Sequence, residues 1–415
     1  MELKGRIMAT QAISEEYTLE SNDIDCLAMA RKIAPLARQH EAFAEENGRL
    51  HDDVVSAFQE SGLYSINTPP AYGGSCPSPR IQCEAIIELA KADASAGWCF
   101  MVSTGFNWQV GRDFGTEAMR AAFADRSRHV AGSFIPAFFA RAVDGGYIVS
   151  GESSFNSNVY RSGYKVALAL VPDPTNPADI AKGEVPAIRA MLVPEEDCQI
   201  VENWDVIGLR GTGSNNVKLT EVFVPEAFAI DIIAHVNRKP AEFDEPIYRL
   251  PYVPWTGFHT AAVVIGIAER ALDSFVTHTT SKIMLTNKLQ SQATIPATRA
   301  AIAEAATMVR TAKAHLLFTA DEAWEICLAN RDFTLEEEAH LQMAAYQTTE
   351  MSVAAIQKIF ASCGAAAISR KLPIEKLLRD ALTGQQHISV SADRSKSTIS
   401  RRLLGLPRES NQPFD

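Results

Sequence analysis

At 415 residues the chain is too long for one ordinary core, which implies two or three domains. Its 47% hydrophobic and 21% charged content is that of a globular protein, not a disordered one. The formal net charge of −11 argues against nucleic acid or an anionic membrane as the main partner.

The first stretch, "MELKGRIMATQAISEEYTLE", mixes charges of both signs without an apolar centre, so it reads as a tail over residues 1–21 and not as a signal peptide. Residues 22–128 form a predicted helical domain. "SNDIDCLAMARKIAPLARQHEAFAEENG" opens on cap-type residues, spaces its apolar positions as a helix does, and closes on Asn47-Gly48. "HDDVVSAFQESGLY" and "RIQCEAIIELAKADASAGWCFMVSTG" continue in that style across the turn-rich "NTPPAYGGSCPSP".

Over residues 129–236 the text becomes short, β-rich and punctuated by Gly and Pro, as in "HVAGSFIP", "YKVALALVPDP" and "VKLTEVFVP". Asp144-Gly145-Gly146 between two apolar runs is a hairpin signal, and the zone is expected to be an antiparallel β domain. Residues 237–415 turn helical again. "FHTAAVVIGIAERALDSFVTHTTS", "IPATRAAIAEAATMVRTAKAHLLFTADEAWEICLAN", "TLEEEAHLQMAAYQTTEMSVAAIQKIFASCG" and "LPIEKLLRDALTGQQH" supply the four helices of a C-terminal bundle. Alternating βα units, the mark of a dinucleotide-binding Rossmann fold, are absent from this pattern, so the fold class is α+β.

Single motifs say little alone. "WDVIGLRGTGSNNVKL" spaces its glycines G-x-x-G-x-G and runs into a strand, so it is a turn between strands and not a phosphate loop. Its Arg210, Thr212 and Ser214 nonetheless offer donors beside a bare backbone. The nine histidines form no H-x-x-x-H pair, and no metal is expected. The seven cysteines, odd in number and without a C-x-x-C pair, predict reduced thiols and a cytoplasmic setting. No stretch reaches the roughly 18 apolar residues of a membrane-spanning helix, so no membrane partner is expected. His387, taken by type, is most simply a satisfied histidine at a helix end.

In combination, "ADASAGW", "AGSF", "DGGYIVSGESSFNS", "WDVIGLRGTGSNNVKLTEVFVP", "GIAERAL" and "LLRD" resemble the acyl-CoA dehydrogenase superfamily, over about residues 22–405. Within it the chain resembles the oxygenase components of two-component flavin-dependent monooxygenases, of the p-hydroxyphenylacetate hydroxylase and dibenzothiophene monooxygenase type. The acyl-CoA dehydrogenase carboxylate is missing from both places where that family carries it, "ALTGQQHISV" and "PWTGFH", and His387 stands after the Arg-Asp pair instead. The resemblance implies reduced flavin (FADH2 or FMNH2) that reacts with O2 to a C4a-hydroperoxide and oxygenates a small aromatic substrate. An imidazole of ordinary pKa near 6.5 suits the base that such a ring needs. The resemblance makes His387, Ser133 and Ser157 the catalytic set, with Ser157 at flavin N5 and Ser133 on the substrate side. It assigns cofactor contacts to Trp98, Ser133, Phe155, Ser157, Arg210, Thr212, Ser214, Lys282 and Arg379, and substrate contacts to Trp98, Asn107, Tyr252, Trp255 and His259.

Two departures stand out. Ser153 and Asn158 occupy positions where the family often has Trp and Gly, which predicts open space and an added polar group beside the flavin. Lys282 stands where an Arg is usual. No NAD(P)H fingerprint is seen, so a separate NAD(P)H:flavin reductase is the implied partner, and association as a dimer or tetramer is expected. The competing readings are an acyl-CoA dehydrogenase with Glu375 as base, an amine or amino-sugar N-oxygenase, and a flavin-free helical scaffold.

Overall fold

A computed structural model describes residues 21–173, 184, 186–236, 243–284 and 290–406. The tail expected over residues 1–21 lies outside them except for Ser21, as do residues 407–415 of the expected bundle. The chain opens with six helices, α1 (Ser21–Gln39), α2 (Glu41–Asn47), α3 (Asp52–Ser61), α4 (Pro79–Ala92), α5 (Ala94–Asp113) and α6 (Thr116–Ala122). Helix α5 is the centre of this layer. Asp93 starts it by accepting hydrogen bonds from the Ser95 and Ala96 N–H groups, and nearly every residue of the helix is buried. A helix apolar all round belongs inside a protein, and α5 packs against α4, α8 and strand β1.

Next come β1 (Val130–Gly132), β2 (Phe138–Val143), β3 (Gly146–Ser153), β4 (Tyr164–Val171), β5 (Ala187–Pro194), β6 (Gln199–Val201), β7 (Asn216–Pro225) and β8 (Ala229–Asp231). They form one sheet in the order β6-β7-β3-β2-β4-β5-β8, with β1 paired to β4. The β2–β3 hairpin turns at Asp144-Gly145 as expected. The expectation of a purely antiparallel domain is corrected, because β1 and β2 both run parallel to β4. The excursion between β3 and β4 brings the chain back beside β2 and parallel to it, and this loop carries Phe155, Ser157 and Asn158.

After α7 (Ile232–Val236) the bundle follows: α8 (Tyr252–Ser281), α9 (Pro296–Leu328), α10 (Leu335–Ser362) and α11 (Ile374–Gln385), then α12 (Ala392–Leu403), which the sequence reading missed. A short ribbon, β9 (Ile283–Met284) and β10 (Gln290–Ser291), lies between α8 and α9. Helix α8 begins before the expected "FHTAAVV", so "PWTGFH" is helical. Gly266 lets α8 lie against α4, since a Cβ there would meet the Ile87 carbonyl oxygen at 2.6 Å. Helix α12 is too polar for an apolar stripe to reveal it. It is held through Arg402 to Glu338 and through Ser395, which accepts from Gln342. No helix of the described residues is long and apolar enough to cross a membrane.

Candidate active site

His387 stands just beyond the C-terminal end of α11, and its backbone N–H closes a turn onto the Gly384 carbonyl. Its Nδ1 lies 2.7 Å from Ser389 Oγ, which lies 3.1 Å from Thr260 Oγ1 on α8. Thr260 donates its only hydroxyl proton to the Thr256 carbonyl at 3.0 Å. The Ser389 N–H also points at Nδ1, at 3.4 Å, so these contacts hold the ring in place through Nδ1 without fixing which nitrogen carries the proton.

A second hydroxyl chain runs through the β domain. Thr212 donates to the Leu209 carbonyl at 2.8 Å, so Ser214 donates to Thr212 and Ser157 donates to Ser214, both at 2.7 Å. Trp98 Nε1 donates to Ser157 Oγ at 3.1 Å. One Ser157 lone pair remains, suited to accept an N–H such as that of a reduced flavin N5. Trp98 joins the two chains, because its ring also stands edge-on to the His387 ring, with centroids 5.5 Å apart at 78°. Beside Ser157, Phe155 is held at φ 61° and is 59% exposed, with its ring edge-on to Trp204. An aromatic of this size left open to solvent, next to a hydroxyl with a spare lone pair, fits the face and edge of a flavin ring. Ser133 accepts from the Ile135 N–H at 3.3 Å.

A cleft of about 40 Å³ opens at His387, lined by Phe134, Tyr252, Thr256, Ser389 and Arg394. It is well below the roughly 150 Å³ that takes a benzene ring, so its lining must open to admit an aromatic ligand. Tyr252, Trp255 and His259 follow on the same helix, each buried.

Other candidates are committed elsewhere. Asn107 donates to the Tyr64 carbonyl and accepts from Val130 N–H, so it fastens β1 to α5. Arg210 donates to Glu45 O and Val206 O and pairs with Asp205, and Arg379 pairs with Glu375 and Glu45 and donates to Ile207 O. These arginines pin the 204–214 loop. Glu375, the alternative base, is held in that same ion pair, 12 positions before His387 in sequence. Lys282 caps the far end of the 30-residue α8, roughly 45 Å from Tyr252 at 1.5 Å per residue, and is not gathered with the rest. The space expected beside Ser153 is corrected: its hydroxyl is buried against Asn156, and Asn158 turns inward to donate to Tyr64 Oη and Ser103 Oγ. Ser389 and Thr260 were missed by sequence reasoning. A serine two residues past a histidine is the only signal for them. His40, His51 and Asp53 come together at the start of α3, where the two rings stack at 3.8 Å and His40 Nε2 and His51 Nδ1 lie 3.4 and 3.5 Å from one Asp53 oxygen.

Three histidines are held neutral by burial: His129 is lowered to about 4, His259 to about 3 and His387 to about 4. In the unfolded chain each titrates near 6.5. A depressed native pKa gives stability that is complete above about pH 6.5 and is lost as the pH falls toward 4, where the unfolded chain takes up protons that the fold excludes. Each contributes a slope of up to about 1.4 kcal/mol per pH unit in that window. Urea midpoints are expected to be level from pH 8 to 7 and to fall between pH 6 and 5. A midpoint unchanged at pH 5 would contradict these buried neutral rings.

Residues 28–127 match the acyl-CoA dehydrogenase N-terminal domain and residues 258–392 the C-terminal domain, and together these span more than half of the chain. The chain belongs to the acyl-CoA dehydrogenase superfamily. Its relatives include the flavin-dependent monooxygenase oxygenase subunit HsaA of Rhodococcus jostii, 26% identical over 382 residues, covering 90% of this chain and 97% of the relative. The FADH2-dependent resorcinol hydroxylase oxygenase component of a Rhizobium species is 27% identical over 387 residues, covering 90% and 92%. Among solved structures, XiaF from a Streptomyces species, in complex with FADH2 and glycerol, superposes with a TM-score of 0.85 at 21% identity, covering 97% of this chain and 98% of that one.

Proposed function

We propose that this chain is the oxygenase component of a two-component flavin-dependent monooxygenase, which takes reduced flavin and O2 and hydroxylates or epoxidises a small aromatic such as a phenol or an indole. When bound, reduced flavin supplies, together with O2, an electrophilic oxygen atom. The observation that supports the reading is Trp98, which donates to Ser157 and stands edge-on to His387, so that one indole touches both candidate groups. His387 takes the phenolic or N–H proton as the aromatic carbon attacks the electrophilic oxygen, and Ser389 and Thr260 hold the ring in place. Ser157 would accept from the flavin N–H and Ser133 would offer its hydroxyl to the substrate side, with Phe134 and Tyr252 lining the cleft.

Reduced flavin reaches this site from a separate NAD(P)H:flavin reductase. The reading goes with a cytoplasmic dimer or tetramer, and the seven free cysteines are in keeping with a reducing compartment. The test supplies the full-length chain with an unrelated NAD(P)H:flavin reductase, flavin, a phenol and ¹⁸O-labelled O2. Incorporation of one labelled oxygen into the phenol is expected. NAD(P)H oxidation by the flavin-loaded chain without the reductase, or reduction of bound flavin by an acyl-CoA without O2, would overturn the assignment.

A further inference from the structure

Helix α12 brings its first turn to the His387 cleft, where Arg394 is part of the lining. Arg394 is half-buried, and its guanidinium has no hydrogen bond or ion pair among the described residues. Arg112, Arg210 and Arg379, by contrast, are each held by a carboxylate, from Asp113, Asp205 and Glu375. A partly desolvated cation without a counter-charge weakens the fold unless a ligand supplies one.

Arg394 is also the one ionised side chain in the lining, which holds no Asp or Glu. Burial holds His387 neutral, at about 4, and keeps Tyr252 protonated. Tyr252 Oη, buried without a partner, adds a neutral donor from α8. Asp393, the carboxylate of the same first turn, is exposed and stands outside the lining. We propose that Arg394 is a specificity-determining residue that binds a carboxylate on the aromatic substrate, so that the cleft takes aromatic acids in preference to neutral aromatics of the same shape. The proposal rests on the oxygenase reading and specifies its substrate class.

A carboxylate is the group that matches this donor. A guanidinium presents two parallel N–H groups to the two oxygens of a planar carboxylate, and a charge-assisted pair of this kind is stronger than a neutral hydrogen bond. A hydroxyl or amide oxygen can take one of those N–H groups but leaves the positive charge unanswered. The N-terminal end of α12 adds a field of the same sign, since the Ser391 side chain does not cap it. At a net charge of −11 the protein as a whole repels anions, so an acid held in this cleft needs a local cation. The substrate is then gripped at two poles, with its carboxylate on Arg394 and its phenolic or N–H proton turned to His387.

Calorimetric binding to the full-length protein, with and without oxidised flavin, compares 4-hydroxybenzoate, 4-hydroxyphenylacetate and 3-(4-hydroxyphenyl)propanoate, each against its own primary amide. The amide keeps the shape and loses the charge, and the three chain lengths vary the reach to Arg394. The acid whose reach fits is expected to bind about ten- to a hundredfold more tightly than its amide, the worth of hydrogen bonds to a charged group. Arg394→Gln is expected to bring that acid and its amide within about threefold of each other. Arg394→Lys, which keeps the charge and loses the fork, is expected to retain part of the preference. Melting temperatures of both variants are checked first. Acids bound no better than their amides, a preference that survives Arg394→Gln, or no measurable binding of any acid would overturn the proposal. So would an Arg394→Gln variant that loses flavin affinity and keeps the preference, which would put this guanidinium on the cofactor. Product analysis with reduced flavin runs alongside. The preference without oxygenated product keeps the role of Arg394 and sinks the oxygenase reading, whereas oxygenated product without the preference does the reverse.

Discussion

Replacing His387 by alanine is expected to lower aromatic hydroxylation by about 100- to 10,000-fold, the range over which a positioned general base contributes, while O2 still oxidises the reduced flavin. The split follows from the two hydroxyl chains. Ser157, Ser214 and Thr212 form one network, and His387, Ser389 and Thr260 form the other, with Trp98 as the contact between them. Loss of the imidazole removes the acceptor for the substrate proton and leaves the Ser157 edge intact. Product per flavin oxidised should therefore collapse, while flavin affinity changes by less than about threefold. Ser389→Ala is the finer test. It removes the hydroxyl 2.7 Å from Nδ1, so the ring is held less firmly, and a loss of about tenfold is expected, milder than removing the base itself. Because burial lowers His387 to about 4, the acid limb of the free-enzyme rate should lie well below pH 6. An acid limb near 6.5, or His387→Ala with unchanged coupling, would remove this residue from the chemistry.

Much of this was legible in the sequence because it depended on local pattern. Apolar periodicity located the long helices, and the Asp-Gly-Gly signal located the β2–β3 turn. The missing carboxylate in "ALTGQQHISV" draws attention to His387. What remained hidden depends on contacts far apart in sequence. Parallel pairing of β2 with β4 has no local mark, since it joins residues some 31 positions apart, as Phe138 with Ala169. Asn107 reads as a pocket residue by position, yet its amide fastens two segments 23 and 43 residues away. Ser389 and Thr260 are 129 positions apart, and only the fold makes them one chain of donors. The Arg-Asp pair shows the limit most clearly. Resemblance assigned Arg379 to the cofactor, whereas the structure spends both residues on the 204–214 loop.

Asp380→Ala should therefore be the most damaging single change outside the reacting groups, costing about 3–5 kcal/mol of stability, as expected when one partner of a buried ion pair is removed. Asp380 is fully buried in α11. One oxygen accepts from Leu209 N–H at 2.7 Å and the other from Lys376 Nζ at 2.7 Å, one turn earlier in the helix. Leu209 sits at φ 52°, a left-handed conformation that a leucine adopts only when its surroundings hold it there. Gly208 beside it has no room for a side chain, because a Cβ would run into the Arg379 carbonyl. The Leu209 carbonyl in turn accepts from Thr212, the start of the hydroxyl chain that ends at Ser157. Loss of Asp380 thus frees the loop at the point from which the flavin-edge serine is oriented, and flavin binding should weaken along with stability. Asp380→Asn keeps an acceptor for Leu209 and loses only the charge. Lys376 keeps Glu41 at 3.2 Å when Asp380 is lost, so its charge is not left alone. Urea unfolding of the two variants separates the two contributions: if the loop pin dominates, Asp380→Asn recovers most of the loss, and if the charge dominates it does not. A loss below about 1 kcal/mol in Asp380→Ala, with flavin affinity unchanged, would mean that the loop holds its shape without α11. In that case the link from the Arg-Asp pair to Ser157 would carry no weight.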